Sequence, residues 1–178
     1  MIRMYHTDME TNVMQEVTDF RRGTWINLIN PTENEIQYVC ENIHIKEDFI
    51  RYPLDYEEEA RIDIEEEDQT ILFIIDVPVT EKGSNGYVYS TMPIGMIVVR
   101  DDYFITVSLK EVKIISNFEK GFVKGFCTYK KSRFILQLMY NNSSEYLNYL
   151  KKINKETEIA ESVLKNSMKN RELLKLLN

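Results

Sequence analysis

The sequence predicts an α/β domain, with a mixed central β-sheet and helices on both faces, followed by a long C-terminal helical arm. Three observations lead there. Apolar runs of strand length crowd residues 70–108. The pair Pro31-Thr32 opens an amphipathic helix with a capping signal. From Tyr146 onward, apolar residues recur at alternating spacings of four and three, the seam of a helix that packs on another helix.

Taken in order, residues 1–6 form a first strand, and residues 24–30 alternate polar and apolar as a second. Pro31 ends that strand. Thr32 is a good N-cap and Glu35, three residues on, completes a capping box. The helix that follows carries Ile36, Val39, Cys40 and Ile43 on one face. Residues 47–52 make a second short helix stopped by Pro53, and residues 55–61 add a further helical turn or two. Ile62 and Ile64 alternate with acids as a strand, and residues 66–69 turn the chain. Residues 70–77 are a continuous apolar run suited to a buried strand. Residues 81–86 have loop chemistry, with Gly83-Ser84-Asn85-Gly86 as a plain turn. Residues 88–99 and 103–108 are strands joined at Arg100-Asp101-Asp102 in a hairpin, with Pro78 and Pro93 expected at strand ends or bulges. Residues 112–122 read as a helix. Residues 130–169 read as a much longer one, reaching about 60 Å at the helical rise. Tyr146, Leu150, Ile153, Thr157, Ala160 and Leu164 lie along its seam as a candidate interface. Residues 166–170 read as a bend and 171–177 as the opening of another helix. The division is therefore a domain over 1–128 and a helical arm over 129–178.

Composition narrows function. The chain has 178 residues, 43% of them hydrophobic, enough for one packed core. Net charge is −7, from 29 acidic and 22 basic residues, which disfavours binding to nucleic-acid backbones. The acidity is uneven: nine carboxylates and one Arg fall in residues 55–68, while residues 110–133 hold seven basic side chains. The acidic run reads as a solvated face, as a carboxylate cluster for Mg2+ or Ca2+, or as a partner for Lys110, Lys113, Lys120 and Lys124; Glu57 and Arg61 form an ordinary i,i+4 pair. No stretch is apolar enough to span a membrane and no signal peptide is visible, so these residues by themselves are expected to be soluble. Cys40 and Cys127 have no CxxC partner and read as buried, reduced hydrophobes. His6 and His44 lack ligand-spaced partners, and there is no phosphate-cradling glycine loop, so no catalytic site and no organic cofactor is assigned. Trp25 reads as core. The chain ends on a leucine pair in mid-pattern, as a helix does when its sequence continues.

Four segments resemble the cytoplasmic domain of CorA-type magnesium transporters. Thr24-Trp25-Ile26-Asn27-Leu28-Ile29-Asn30-Pro31-Thr32-Glu33 is similar to the family's W-I-(D/N)-L-x-x-P-T strand-to-helix junction. Leu54-Asp55 through Glu59-Ala60-Arg61-Ile62-Asp63-Ile64-Glu65 resembles its L-D-x-x-E-x-(P/A)-R stretch. Met92-Pro93-Ile94-Gly95-Met96-Ile97-Val98-Val99 with Tyr103-Phe104-Ile105-Thr106-Val107-Ser108 resembles its central hairpin. Leu164, Ser167, Asn170, Glu172-Leu173-Leu174 and Leu176-Leu177 are similar to the start of its stalk.

The resemblance implies an αβα domain that assembles as a homopentamer below a membrane pore and faces the cytoplasm. The family's Gly-Met-Asn signature, between two membrane helices, would then lie beyond Asn178. It also implies Mg2+, or another divalent cation such as Co2+, bound between neighbouring domains to gate transport. The regulatory acid after the buried strand is then Glu81 or, second, Asp76. The rival expectation is a freestanding module that dimerises through the long helix with no metal role.

Overall fold

The computed structural model describes residues 1–83 and 86–176. Seven strands form one sheet: β1 (Ile2–Thr7), β2 (Met14–Val17), β3 (Trp25–Ile29), β4 (Arg61–Glu65), β5 (Thr70–Gly83), β6 (Gly86–Val99) and β7 (Tyr103–Ser108). Their order is β2-β1-β3-β7-β6-β5-β4, and every neighbouring pair is antiparallel except β3 with β7. The sheet is therefore mixed, as the strand pattern requires. Helices α1 (Glu33–Ile43) and α2 (Asp48–Arg51) cover one face; α3 (Lys113–Glu119) and the start of α4 (Lys131–Leu176) cover the other.

Strand alternation sorts the core into two layers. Ile26 and Leu28 of β3, Leu72 and Ile74 of β5, and Ile105 and Val107 of β7 face Ile36, Val39 and Ile43 of α1 and Ile50 of α2. Trp25, Val77, Met92, Ile94, Met96 and Phe104 face Ile114, Ile115 and Phe118 of α3 and Phe134 and Leu138 of α4. Trp25 is fully buried, and its ring meets Phe126 and Phe134 edge-on at 5.7 and 5.0 Å. That is core packing, as expected.

Local signals explain most boundaries. Thr32 caps α1, its hydroxyl accepting from the Glu35 N–H while the Glu35 carboxylate accepts from the Thr32 N–H. Arg100 and Asp101 both have positive φ (48° and 51°), as the tight hairpin between β6 and β7 demands, and the Asp102 N–H closes it onto the Val99 carbonyl at 2.8 Å. Gly95 is needed because a Cβ there would meet the Pro53 ring, which lies in a 3₁₀ turn (Tyr52–Leu54) that continues α2.

Several expectations are corrected. Residues 81–83 are strand, not loop: β5 and β6 pair as far as Glu81 with Val88, Lys82 with Tyr87 and Gly83 with Gly86, held by ladder hydrogen bonds without hydrophobic periodicity to announce them. Ser84 and Asn85, the middle of the expected turn, lie outside the described residues. Pro78 and Pro93 sit inside these strands rather than at their ends. Each falls where one strand edge is unpaired, because β4 pairs with β5 only to Ile74 and β7 with β6 only to Ile94. Residues 55–57 turn and 58–60 are irregular, rather than helix, with the Asp55 carboxylate accepting the Glu57 N–H. β2 was not foreseen; its four residues have no apolar alternation and are recruited by pairing with β1. Helix α3 stops at Glu119, before Gly121 at φ 70°, and α4 runs through 166–170 without the expected bend, since no Gly or Pro interrupts it.

The chain divides into two compact units, Met1–Asn142 and Ser143–Asn178. Lys131, Phe134, Leu138 and Asn142 of α4 are buried within the first. The described residues of the second are all helical, and from Leu150 to Ser167 every residue is exposed.

Candidate cation and assembly sites

Both candidate cation ligands stand on β5. The register from Thr70 to Gly83 is unbroken, so positions of opposite parity face opposite sides of the ribbon. Leu72 and Ile74 belong to the α1 side, and Phe73, Ile75, Val77 and Val79 to the α3 side. Asp76 therefore lies on the first side and Glu81 on the second. The strand does not bring them to one ion. Among the described residues, no three His, Cys, Asp or Glu side chains converge as a metal cluster.

Glu81 nevertheless holds a cation. Lys110, two residues past β7, donates from Nζ to Glu81 Oε1 at 2.5 Å, with both side chains more than half exposed. The hydrogen bond that Lys110 donates to Glu81 raises the Lys110 pKa and keeps the ammonium charged. An exposed pair of this kind adds little to stability, because water screens it. Asp76 is half-buried, and its backbone carbonyl accepts from Asn142 Nδ2 at 2.8 Å.

The acidic run is partly neutralised from within the first unit. Lys46 bridges Glu65 and Asp68 at 2.9 and 3.3 Å, while Arg61 bonds Glu58 and Asp63. Arg61 thus pairs with Glu58 and Asp63 in place of the expected Glu57, because residues 57–61 are not helical and the i,i+4 spacing loses its meaning. Lys110 is drawn to Glu81 rather than to the run. Cys40 and Cys127 are both buried and unpaired, as expected, and burial pushes the Cys40 thiol up to about 11.

The interface candidates Tyr146, Leu150, Ile153, Ala160 and Leu164 all fall in the second unit. Leu150 is 52% exposed, Ile153 36% and Leu164 62%. With Thr157 they form an apolar seam along one side of the helix, and the Thr157 hydroxyl turns back onto the Ile153 carbonyl at 3.0 Å.

Two features escaped the sequence reading. One is a buried polar relay on the α3 face. Trp25 Nε1 donates to Thr106 Oγ1, which donates to Asn27 Oδ1; Asn27 Nδ2 then donates to Glu119 Oε1, at 2.9, 2.9 and 2.8 Å. Tyr5 and Arg3 complete Glu119 at 3.1 and 3.0 Å. Polar Asn27 on the same side as Trp25 was the available signal. The other is an apolar flank on β4. Ile62 and Ile64 pair with Phe73 and Ile71 on the α3 side, yet remain 60% and 68% exposed, while Arg61, Asp63 and Glu65 take the α1 side. The alternation was legible there, but not which face lacked a cover.

The sequence profile described as "CorA-like Mg2+ transporter protein" matches residues 21–178. No curated protein matches the chain by sequence. Two solved structures from Methanocaldococcus jannaschii share its fold. The soluble domain of CorA superposes with a TM-score of 0.74 at 21% identity over 92% of this chain. The complete CorA magnesium transporter superposes with a TM-score of 0.72 at 17% identity over 90%. This chain spans 64% of the former and 50% of the latter.

Proposed function

Since this chain belongs to the CorA-like Mg2+ transporter family, we propose that it is the cytoplasmic domain of a membrane transporter for Mg2+ or a related divalent cation such as Co2+. The observation that carries the reading is the family match across residues 21–178, supported by a fold like that of a CorA soluble domain. Among the described residues no helix is long and apolar enough to cross a membrane. The reading accordingly assigns membrane attachment to sequence outside these residues, and the complete relative, of which this chain spans 50%, leaves room for it. The role is regulatory and structural rather than enzymatic.

In this reading the domain senses the cation between subunits of a homopentamer and holds the assembly together. Glu81 is the ligand of choice, since its carboxylate is exposed, stands on a projecting two-stranded ribbon and already stabilises a cation there. Mg2+ keeps most of its waters and needs only one or two carboxylates, so a second ligand from a neighbouring subunit suffices. Asp76, on the other side of the strand, would serve a different contact. Tyr146, Leu150, Ile153, Ala160 and Leu164 supply the helical packing surface. Occupancy would stabilise the closed assembly, and loss of the ion would shift the population toward opening.

The test is a titration of the 178-residue chain with MgCl2, CaCl2 or CoCl2 at constant ionic strength, following melting temperature and sedimentation. The expected result is a saturable rise in melting temperature beyond the NaCl control. Self-association with no divalent effect would sink the sensing role and leave a helix-mediated interaction module, for which the exposed seam of the arm is the favouring observation.

A further inference from the structure

Glu81 does not wait as a bare carboxylate. Lys110 is anchored just past β7 while Glu81 stands on β5, and its ammonium lies 2.5 Å from one carboxylate oxygen. No other carboxylate bridges to Lys110 among the described ion pairs, although it lies downstream of an acidic run of nine carboxylates. An ammonium and a partly hydrated divalent ion compete for the same oxygen lone pairs. A divalent ion placed there is also repelled by the lysine charge unless the lysine swings away.

We propose that Lys110 is a tethered counter-ion that competes with divalent cation for Glu81 and so sets the concentration at which the site fills. This rests on the reading of Glu81 as a cation ligand and deepens it. The lysine holds the carboxylate neutralised when the cation is scarce. When the cation is abundant, the ammonium is released to solvent, which costs little because its side chain is already 61% exposed. The lysine thereby discriminates by charge: a monovalent ion gains too little from one carboxylate to displace it, whereas a divalent ion gains about twice as much. Lys110 touches Glu81 rather than any ion, so it is a positioning residue that acts through the ligand.

The experiment measures Mg2+ binding to the 178-residue chain by calorimetry and by melting temperature at fixed ionic strength, for wild type, Lys110→Met, Lys110→Arg, Glu81→Gln and the Glu81→Gln/Lys110→Met pair. Lys110→Met should tighten the apparent Mg2+ affinity by about three- to fivefold, the most that a screened surface ion pair commands. Lys110→Arg should stay near wild type because it keeps the charge. The gain from Lys110→Met should vanish in the Glu81→Gln background, where there is no carboxylate left to free. Without Mg2+, all variants should melt close to wild type, since both side chains are exposed. If Glu81→Gln weakens binding while Lys110→Met leaves it unchanged, Glu81 is a ligand and the competing lysine is refuted. If wild type binds and Glu81→Gln binds equally well, or no variant binds beyond the salt control, the ligand reading fails and takes the competition with it. Binding that appears only in Lys110→Met would support the competition most directly.

Discussion

Helix α4 crosses two environments, and the contrast between them separates two sources of helical stability. At its start, Phe134 and Leu138 are fully buried against Trp25, Phe104 and Phe118, and Lys131 is buried with its ammonium on the Asp101 carbonyl and carboxylate. Further along, Leu150, Ile159, Val163 and Leu164 are each more than half exposed. Both stretches have comparable apolar side chains at helical spacing. The first belongs to the packed core of its unit. An isolated helix owes little to propensity and most to packing, so the buried end should be part of the cooperative unit and the exposed end should depend on a partner.

The largest test of that contrast is side-chain truncation. Phe134→Ala should cost about 3–5 kcal/mol in chemical denaturation of the chain, because it removes the ring that joins α4 to the aromatic cluster. Leu150→Ala and Leu164→Ala should each change unfolding of the first unit by less than about 0.5 kcal/mol. Equal losses at the two ends would show that the arm is packed in solution and break the contrast.

A smaller effect sharpens the packed side. Burial first, and then the neighbouring Glu119 carboxylate, push the Tyr5 phenol up to about 12. A folded pKa above the unfolded value of about 10 gives stability that is complete below pH 10 and is lost as pH climbs to 12. The loss should be on the order of 2 kcal/mol, read from denaturant midpoints across that window. Tyr5→Phe should flatten the profile; an unchanged profile would place the alkaline transition elsewhere.

The smallest effect belongs to the arm. Ala160→Gly should lower local helix stability by about 1 kcal/mol, visible as faster amide exchange around residues 153–167, with no shift in the melting of the first unit. A fall in the melting temperature of the whole chain would again mean that the arm is not independent.

Much of this fold was legible because it rests on local rules. Thr32 with Glu35 announced the start of α1, Arg100-Asp101-Asp102 the hairpin, and the alternation of residues 24–30 the strand that carries Trp25. The misses share a cause. β2 and the tip of the β5–β6 ribbon around Glu81, Lys82 and Gly83 are held by backbone pairing, with no hydrophobic period to read. The helical turns expected over 55–61 failed because acid-rich residues are as content in turns as in helices, and here Asp55 folds back on its own backbone.

By itself, the sequence determined the layered α/β class, the capped first helix, the buried tryptophan strand and the apolar seam of the arm, since period and capping act over a few residues. Tertiary structure alone decided which charges meet. Asp76 and Glu81 are close in sequence but separated by the parity of a strand, whereas Lys110 reaches Glu81 from 29 residues away because β6 and β7 return the chain beside β5. Pairing of that kind depends on register and chain direction, which are properties of the assembled sheet and not of any one segment.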